Sequence, residues 1–277
     1  MEKLTVLSVE RGEGIATVWL DRAEARNAMG PAFFEELPRA MEVVEADPEV
    51  RAVVIAARGP HFSVGLDLKA MWSLLGGSPA DGRSPASPAR RASAVRREVL
   101  RLQASITAVA DCPKPVIAAL HGYCIGGAID LASACDVRVA SKDATISVRE
   151  TRVAIVADLG SLQRLPGIIG TGQVAELALT GKDITADHAM RIGLVNSVHP
   201  DAASAQAAAL AMAAEMAANS PLAVQGTKAV LRASRGRSVA EGLDYVATWN
   251  AGFLQSDDLV EAMTAFMAKR PPVFRGS

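Results

Sequence analysis

His121-Gly122-Tyr123-Cys124-Ile125-Gly126-Gly127-Ala128-Ile129-Asp130-Leu131 follows a β-rich run, Pro115 to Leu120, and leads into a helical stretch from about Gly127 to Ser133. A strand, a glycine turn and a helix start in that order let the backbone come close to a ligand. Glycine has no Cβ to block the approach, and the first helical N–H groups have no internal acceptor. A second turn of this kind, His61-Phe62-Ser63-Val64-Gly65-Leu66-Asp67-Leu68-Lys69, follows the buried run Val53-Val54-Ile55-Ala56-Ala57. Two such turns can aim two N–H donors at one oxygen, which is how an oxyanion hole is built. Glycine turns are also common structural punctuation, so the pair alone is a weak signal.

The surrounding chain alternates short strands with helices. Leu4 to Glu10 and Ile15 to Leu20 are strand-like runs around the hairpin signal Arg11-Gly12-Glu13-Gly14. Pro31 to Glu45 places Phe33, Phe34, Leu37, Met41 and Val44 at helical spacing. Val137 to Ala140 and Thr145 to Val148 read as further strands. This alternation predicts an α/β core over residues 1–200. Residues 201–277 change texture, with an alanine-rich helix over Ala202 to Ala218, a capping box at Ser238 and Glu241, and a last helix opened by Asp257-Asp258. Lys269-Arg270 near the end of that helix suit the helix dipole.

The chain has 277 residues, 29 basic and 30 acidic, with half of it hydrophobic and a formal net charge of -1. That excludes a disordered chain and removes the global electrostatic reason to expect a nucleic-acid partner. Cys112, Cys124 and Cys135 are too few for a disulfide scaffold, and the four histidines form no helix-spaced pair for zinc, so no metal is expected. The longest near-apolar stretch, Pro115 to Ile129, is too short and too broken to span a membrane. Met1-Glu2-Lys3-Leu4 lacks an apolar signal core, and the expected location is cytoplasmic. Gly76 to Arg97, rich in Ser, Pro, Gly and Arg, reads as a loop followed by a helix from Ala92; its arginines suit either a solvated face or an anion site.

Together these segments resemble the crotonase (enoyl-CoA hydratase/isomerase) superfamily over nearly the whole chain. The resemblance rests on Leu20-Asp21-Arg22, Arg26-Asn27-Ala28, Phe62 to Leu68, Lys114 to Ala119, Gly122 to Asp130, Gln163-Arg164-Leu165-Pro166 and Phe266 to Arg270, in the family's order. It implies a spiral of ββα units with a C-terminal helical trimerisation region. It further implies an acyl-CoA substrate, no bound cofactor, and a homotrimer or dimer of trimers. By the same resemblance the N–H groups of Leu66 and Gly127 hold the thioester oxygen, and Arg26, Val64, Leu68 and Lys269 contact CoA, with Lys269 reaching a neighbouring subunit.

Three acids decide which crotonase this resembles: Asp130, Glu150 and Asp158. Hydratases of the family carry Glu at the first position and normally Gly at the third. The dienoyl-CoA isomerase branch is similar at all three. Moving a conjugated diene along an acyl chain takes a proton from the carbon beside the thioester and returns one at the far end. Two acids flanking the chain can do what one cannot. The resemblance gives Glu150 the first transfer, Asp158 the second, and Asp130 an assisting role.

Each acid also has a structural reading. Asp158 precedes Leu159-Gly160-Ser161 and suits a helix N-cap; Asp130 suits a buried pair with Arg149 or Arg152; Glu150 suits a surface ion pair; Asp67 suits a cap. Ala23, Arg149, Arg152 and Ala154 depart from the family's pattern. Gly170-Thr171-Gly172-Gln173-Val174-Ala175 imitates a dinucleotide fingerprint but lacks a good preceding strand. A non-catalytic acyl-CoA binder would gain nothing from three buried acids. The enzymatic alternative is an enoyl-CoA hydratase using Asp130 and Glu150.

Overall fold

The computed structural model describes residues 4–72 and 87–277. β1 (Leu7–Gly12) and β2 (Ile15–Leu20) pair antiparallel with Gly12 opposite Ile15. Glu13 and Gly14 between them both have positive φ, as a two-residue turn matched to strand twist requires. α1 (Pro31–Ala46) opens on a proline, whose missing N–H has no intrahelical role there, and buries the stripe of Phe33, Phe34, Leu37, Met41 and Val44. β3 (Ala52–Ala57) is buried at every residue, as a strand covered on both faces should be.

α2 (Pro88–Asp111) starts four residues before the expected Ala92, because the Ser87 hydroxyl accepts the Arg90 N–H and Pro88 sits at the first helical position. Residues 76–86 of the expected loop lie outside the described residues. β4 (Val116–Leu120), β5 (Tyr123–Ile125) and α3 (Gly127–Ala134) follow, then β6 (Val137–Ser141), β7 (Thr145–Ser147) and α4 (Ser161–Arg164). Next come α5 (Thr171–Thr180), β8 (Ile184–Thr185), α6 (Ala186–Arg191) and β9 (Ser197–His199).

Among the described residues the strands form one sheet in the order β1-β2-β3-β4-β6-β9 and a smaller one in the order β5-β7-β8. Each turn of the chain lays one strand in the large sheet, the next in the small one, and then a helix: β4-β5-α3, then β6-β7-α4. β3 starts an earlier turn of the same kind, since Ser63 bridges Cys124 at the edge of the small sheet. The result is a spiral of ββα units, with strand C-terminal ends and their glycine turns stacked on one side.

α7 (Ala202–Ala217) is capped by the Asp201 carboxylate and lies on the large sheet. Ala205, Ala209, Ala213 and Ala217, one turn apart, pack on Trp19, Val54, Ile117 and Val139. Alanine is what lets a helix settle this close to a sheet, and it explains the composition of the segment. α8 (Pro221–Ala233), α9 (Val239–Phe253), with the expected Ser238–Glu241 capping box, and α10 (Asp257–Met267) complete the chain. α10 ends at Met267, so Lys269 and Arg270 lie past its C-cap, Ala268. Val239, Val260 and Phe266 on these helices are 80%, 65% and 82% exposed.

Candidate functional site

The two glycine turns meet. Ser63 N–H donates to Tyr123 O (2.9 Å) and Ile125 N–H to Ser63 O (3.2 Å), fastening the first turn along β5. Gly65 has φ +82°, and a Cβ there would stand 2.5 Å from Ile125 O and 3.1 Å from Gly127 N. Only glycine fits between them. Gly126, at φ +58° and ψ −124°, turns the chain into α3 while its N–H donates to Ser147 O on β7.

Two amides remain uncommitted. Met29 N–H donates to Gly65 O (2.8 Å) and Asp67 N–H to Met29 O (3.0 Å), so the pairing skips Leu66 N–H. Gly127 N–H is the first of α3 and has no intrahelical acceptor. Neither has an acceptor among the described residues, and Leu66 N lies 3.8 Å from where a Cβ on Gly127 would be. A pair of free donors this close can receive one oxygen.

The acids gather beside them. Asp130 is 1% exposed, one helical turn after Gly127, and its Oδ1 accepts the Ser161 N–H at 2.6 Å. Burial first, then the Glu150 carboxylate and more weakly Asp158, push it up to about 7, against the Ser161 hydrogen bond. Glu150 follows β7 at the head of a short 3-10 turn, and its Oε1 is 3.5 Å from where a Cβ on Gly126 would be. Its Oε2 is buried without a partner among the described residues. Burial, with Asp158 adding to it, raises Glu150 above the ordinary value despite nearby backbone amides. Burial raises half-buried Asp158 as well. Asp130 senses both Glu150 and Asp158, and Glu150 senses Asp158, so the three carboxyls lie near one another.

The structural alternatives for these acids are resolved by their partners. Asp158 does not cap α4, whose N-cap residue is Gly160 with no side-chain cap; it is the Asp130 carboxylate that takes the first N–H of that helix. Arg149 pairs with Asp183 instead, and Arg152 donates to Thr180 O from an exposed position. The cation whose titration senses Asp130 is Arg164. Asp67 caps a local turn through Ala70 N–H and pairs with Arg22.

Among the proposed CoA contacts, Arg26 is exposed with φ +52°, and its carbonyl accepts the Val64 N–H at 3.3 Å. Leu68, 44% exposed, lies two residues past Leu66 on the same rim. Lys269 stands apart, just past α10, and among the described residues no hydrogen bond or ion pair joins it to this rim. Gly170 to Ala175 opens α5 after a 3-10 turn, Leu165–Gly167, so the dinucleotide fingerprint lacks its strand. Among the described residues no cluster of His, Cys, Asp and Glu is arranged to hold a metal.

Several residues at the site carry no obvious chemical signature in sequence: Ser63, which donates to Asn27 O and accepts Gly65 N–H, Met29 against Gly127, and Gln103, Thr107 and Arg164 behind Asp158. The polar pair Gln103 and Thr107, four apart on the half of α2 that packs into the core, was the available clue.

Residues 10–277 match the family described as enoyl-CoA hydratase/isomerase. The chain is 42% identical to a peroxisomal Delta(3,5)-Delta(2,4)-dienoyl-CoA isomerase of Arabidopsis thaliana, across 99% of this chain and 98% of that protein. It is 43% identical to the mitochondrial Delta(3,5)-Delta(2,4)-dienoyl-CoA isomerase of Rattus norvegicus, across 97% and 80%. The crystal structure of an enoyl-CoA hydratase from Bacillus anthracis superposes with a TM-score of 0.88 at 29% identity, covering 99% of this chain and 100% of that one.

Proposed function

Because this chain belongs to the enoyl-CoA hydratase/isomerase family, the crotonases, and its three acids lie within electrostatic reach of one another, we propose that it converts 3,5-dienoyl-CoA to 2,4-dienoyl-CoA. The observation that carries this is Asp158. It stands free of the helix-capping role its position suggested, and it lies close enough to Glu150 to raise that group's proton affinity.

Leu66 N–H and Gly127 N–H donate to the thioester oxygen, where negative charge grows as the proton leaves C2. In other enzymes one such donor contributes about 3–4 kcal/mol. Glu150 takes the C2 proton, and its partnerless Oε2 and raised proton affinity suit a base working on a weak carbon acid. The electron pair then spreads along the conjugated chain to C6. Asp158 delivers a proton there, and burial, which keeps it protonated at higher pH than an ordinary aspartate, supports that role. One C–H bond breaks and another forms, with no net oxidation and no water consumed, so acyl-CoA is substrate and no cofactor is required. Asp130 assists from behind, through its charge and its hold on Ser161.

Arg26, Val64 and Leu68 flank the CoA approach, and Lys269 acts on a neighbouring subunit's CoA. The exposed apolar side chains of α8 to α10 support residues 201–277 as the assembly region of a homotrimer or dimer of trimers, with residues 1–200 as the spiral core.

Incubation with 3,5-dienoyl-CoA tests the reading. Ultraviolet absorbance should grow as the diene conjugates with the thioester, at unchanged mass. No turnover of that substrate, together with loss of 2-enoyl-CoA absorbance and gain of one water, would make the protein a hydratase instead.

A further inference from the structure

The segment that bears Asp158 is fastened at backbone positions 158, 159 and 161 by side chains from α2, α4 and α3. Gln103 Nε2 donates to Asp158 O at 2.6 Å. Arg164 Nη1 donates to Leu159 O at 3.1 Å, and its Nη2 donates to Thr107 Oγ1 at 2.9 Å. Asp130 Oδ1 accepts the Ser161 N–H at 2.6 Å. Between these ties sits Gly160 at φ +121°, where a Cβ would run into the Arg164 guanidinium. The guanidinium thus occupies the space that a side chain at 160 would need.

Gln103 and Thr107 lie one helical turn apart on α2, so one face of that helix holds the segment, directly at Asp158 and through Arg164 at Leu159. By contrast, Glu150 is placed by β7, which pairs with β5, and by the turn after it, whose hydrogen bonds run to residues 178 and 180 rather than to α2. The two acids therefore have separate supports.

We propose that Gln103 and Arg164, the latter steadied by Thr107, are positioning residues for Asp158 that govern proton delivery to the far end of the diene while leaving proton removal beside the thioester intact. This rests on the isomerase reading. It extends it by dividing the two proton transfers between two mechanically separate supports. A hydrogen-bonded backbone restrained at 158, 159 and 161 keeps the carboxyl in reach of one carbon, and small misplacements of a reacting group are costly in rate.

The test uses Gln103→Leu, which keeps the side chain's bulk and removes the donor, and Thr107→Val, which frees one end of Arg164. The proposed mechanism gives neither residue a contact with the substrate. Each full-length variant is incubated with 3,5-dienoyl-CoA in deuterated water, and exchange of the C2 hydrogens and formation of the 2,4-diene are measured separately by NMR. The expected result is a fall in kcat for 2,4-diene formation of about tenfold or more, with KM, C2 exchange and the melting temperature close to wild type. Unchanged kcat in both variants, or equal loss of C2 exchange and isomerisation, would overturn the proposal. The wild type reports on the premise: absence of both C2 exchange and 2,4-diene in the unmodified protein would refute the isomerase reading itself.

Discussion

Asp130→Asn should make the protein more stable in neutral and alkaline buffer while impairing it as an enzyme. The carboxyl is 1% exposed and titrates at about 7 rather than at 3.8. Between those two values the folded chain keeps a proton that the unfolded chain has released, so stability falls as pH rises through that window. A displacement of that size corresponds to about 4 kcal/mol, fully expressed only above the folded value. Asparagine carries no such penalty. It also accepts the Ser161 N–H less strongly, replacing a charge-assisted bond of roughly 1.5–3 kcal/mol with a neutral one of about 1. That loss needs no separate allowance in the comparison below, because the Ser161 hydrogen bond is already among the influences that set the wild-type value at about 7. Urea denaturation of both proteins at pH 4 and pH 8 reads the effect. The stability difference, variant minus wild type, should rise by nearly the whole of that, about 4 kcal/mol, between the two buffers. A difference that stays constant would mean that Asp130 titrates normally and that burial does not set the proton affinity of this pocket.

Other outcomes follow from the same geometry. Asp158→Asn should lower kcat by roughly 10²–10⁴, the usual span for a lost acid or base, while calorimetric binding of a non-reactive acyl-CoA is unchanged. Gly65→Ala places a Cβ 2.5 Å from Ile125 O and beside Gly127 N, which spreads the two donors; steady-state kinetics should show kcat down by about 10²–10³. The isomerase pH profile should lose kcat/KM on its acid side as Glu150 takes up a proton, with an inflection above the ordinary 4.5 because burial raises this group. Ala154 holds φ +59°, where a Cβ costs about 1–2 kcal/mol, so Ala154→Gly should raise stability by up to about 1 kcal/mol after glycine's own entropy loss, measured by denaturant unfolding.

What could be foreseen from the chain was what depends on neighbours in sequence. The Gly65 and Gly126 turns, the hairpin at residues 13–14, the buried run of β3 and the capping box at Ser238 are local devices. Each is written in residues a few positions apart. The three acids were visible through their resemblance to the dienoyl-CoA isomerase branch. Their partners were not. Nothing near Ser161 announces that its N–H is taken by Asp130, 31 residues earlier, rather than by Asp158. Sequence proximity therefore suggested the wrong cap. Arg149 lies next to Glu150 in sequence yet pairs with Asp183, because Arg149 precedes the 3-10 turn that Glu150 opens and its side chain reaches the residue before β8 instead. The alanines of α7 looked thin as a core of their own; their sense comes from the sheet they cover, which is assembled from four distant strands. Lys269 illustrates the remaining gap, since its proposed partner belongs to a second copy of the chain.

The most direct examination of the whole account is a crystal structure with an unreactive dienoyl-CoA analogue bound. It should show the thioester oxygen about 2.7–3.1 Å from both Leu66 N and Gly127 N, with the Glu150 carboxyl at C2 and the Asp158 carboxyl at C6. A carbonyl held elsewhere, or an acyl tail that leaves Asp158 out of reach of C6, would contradict it.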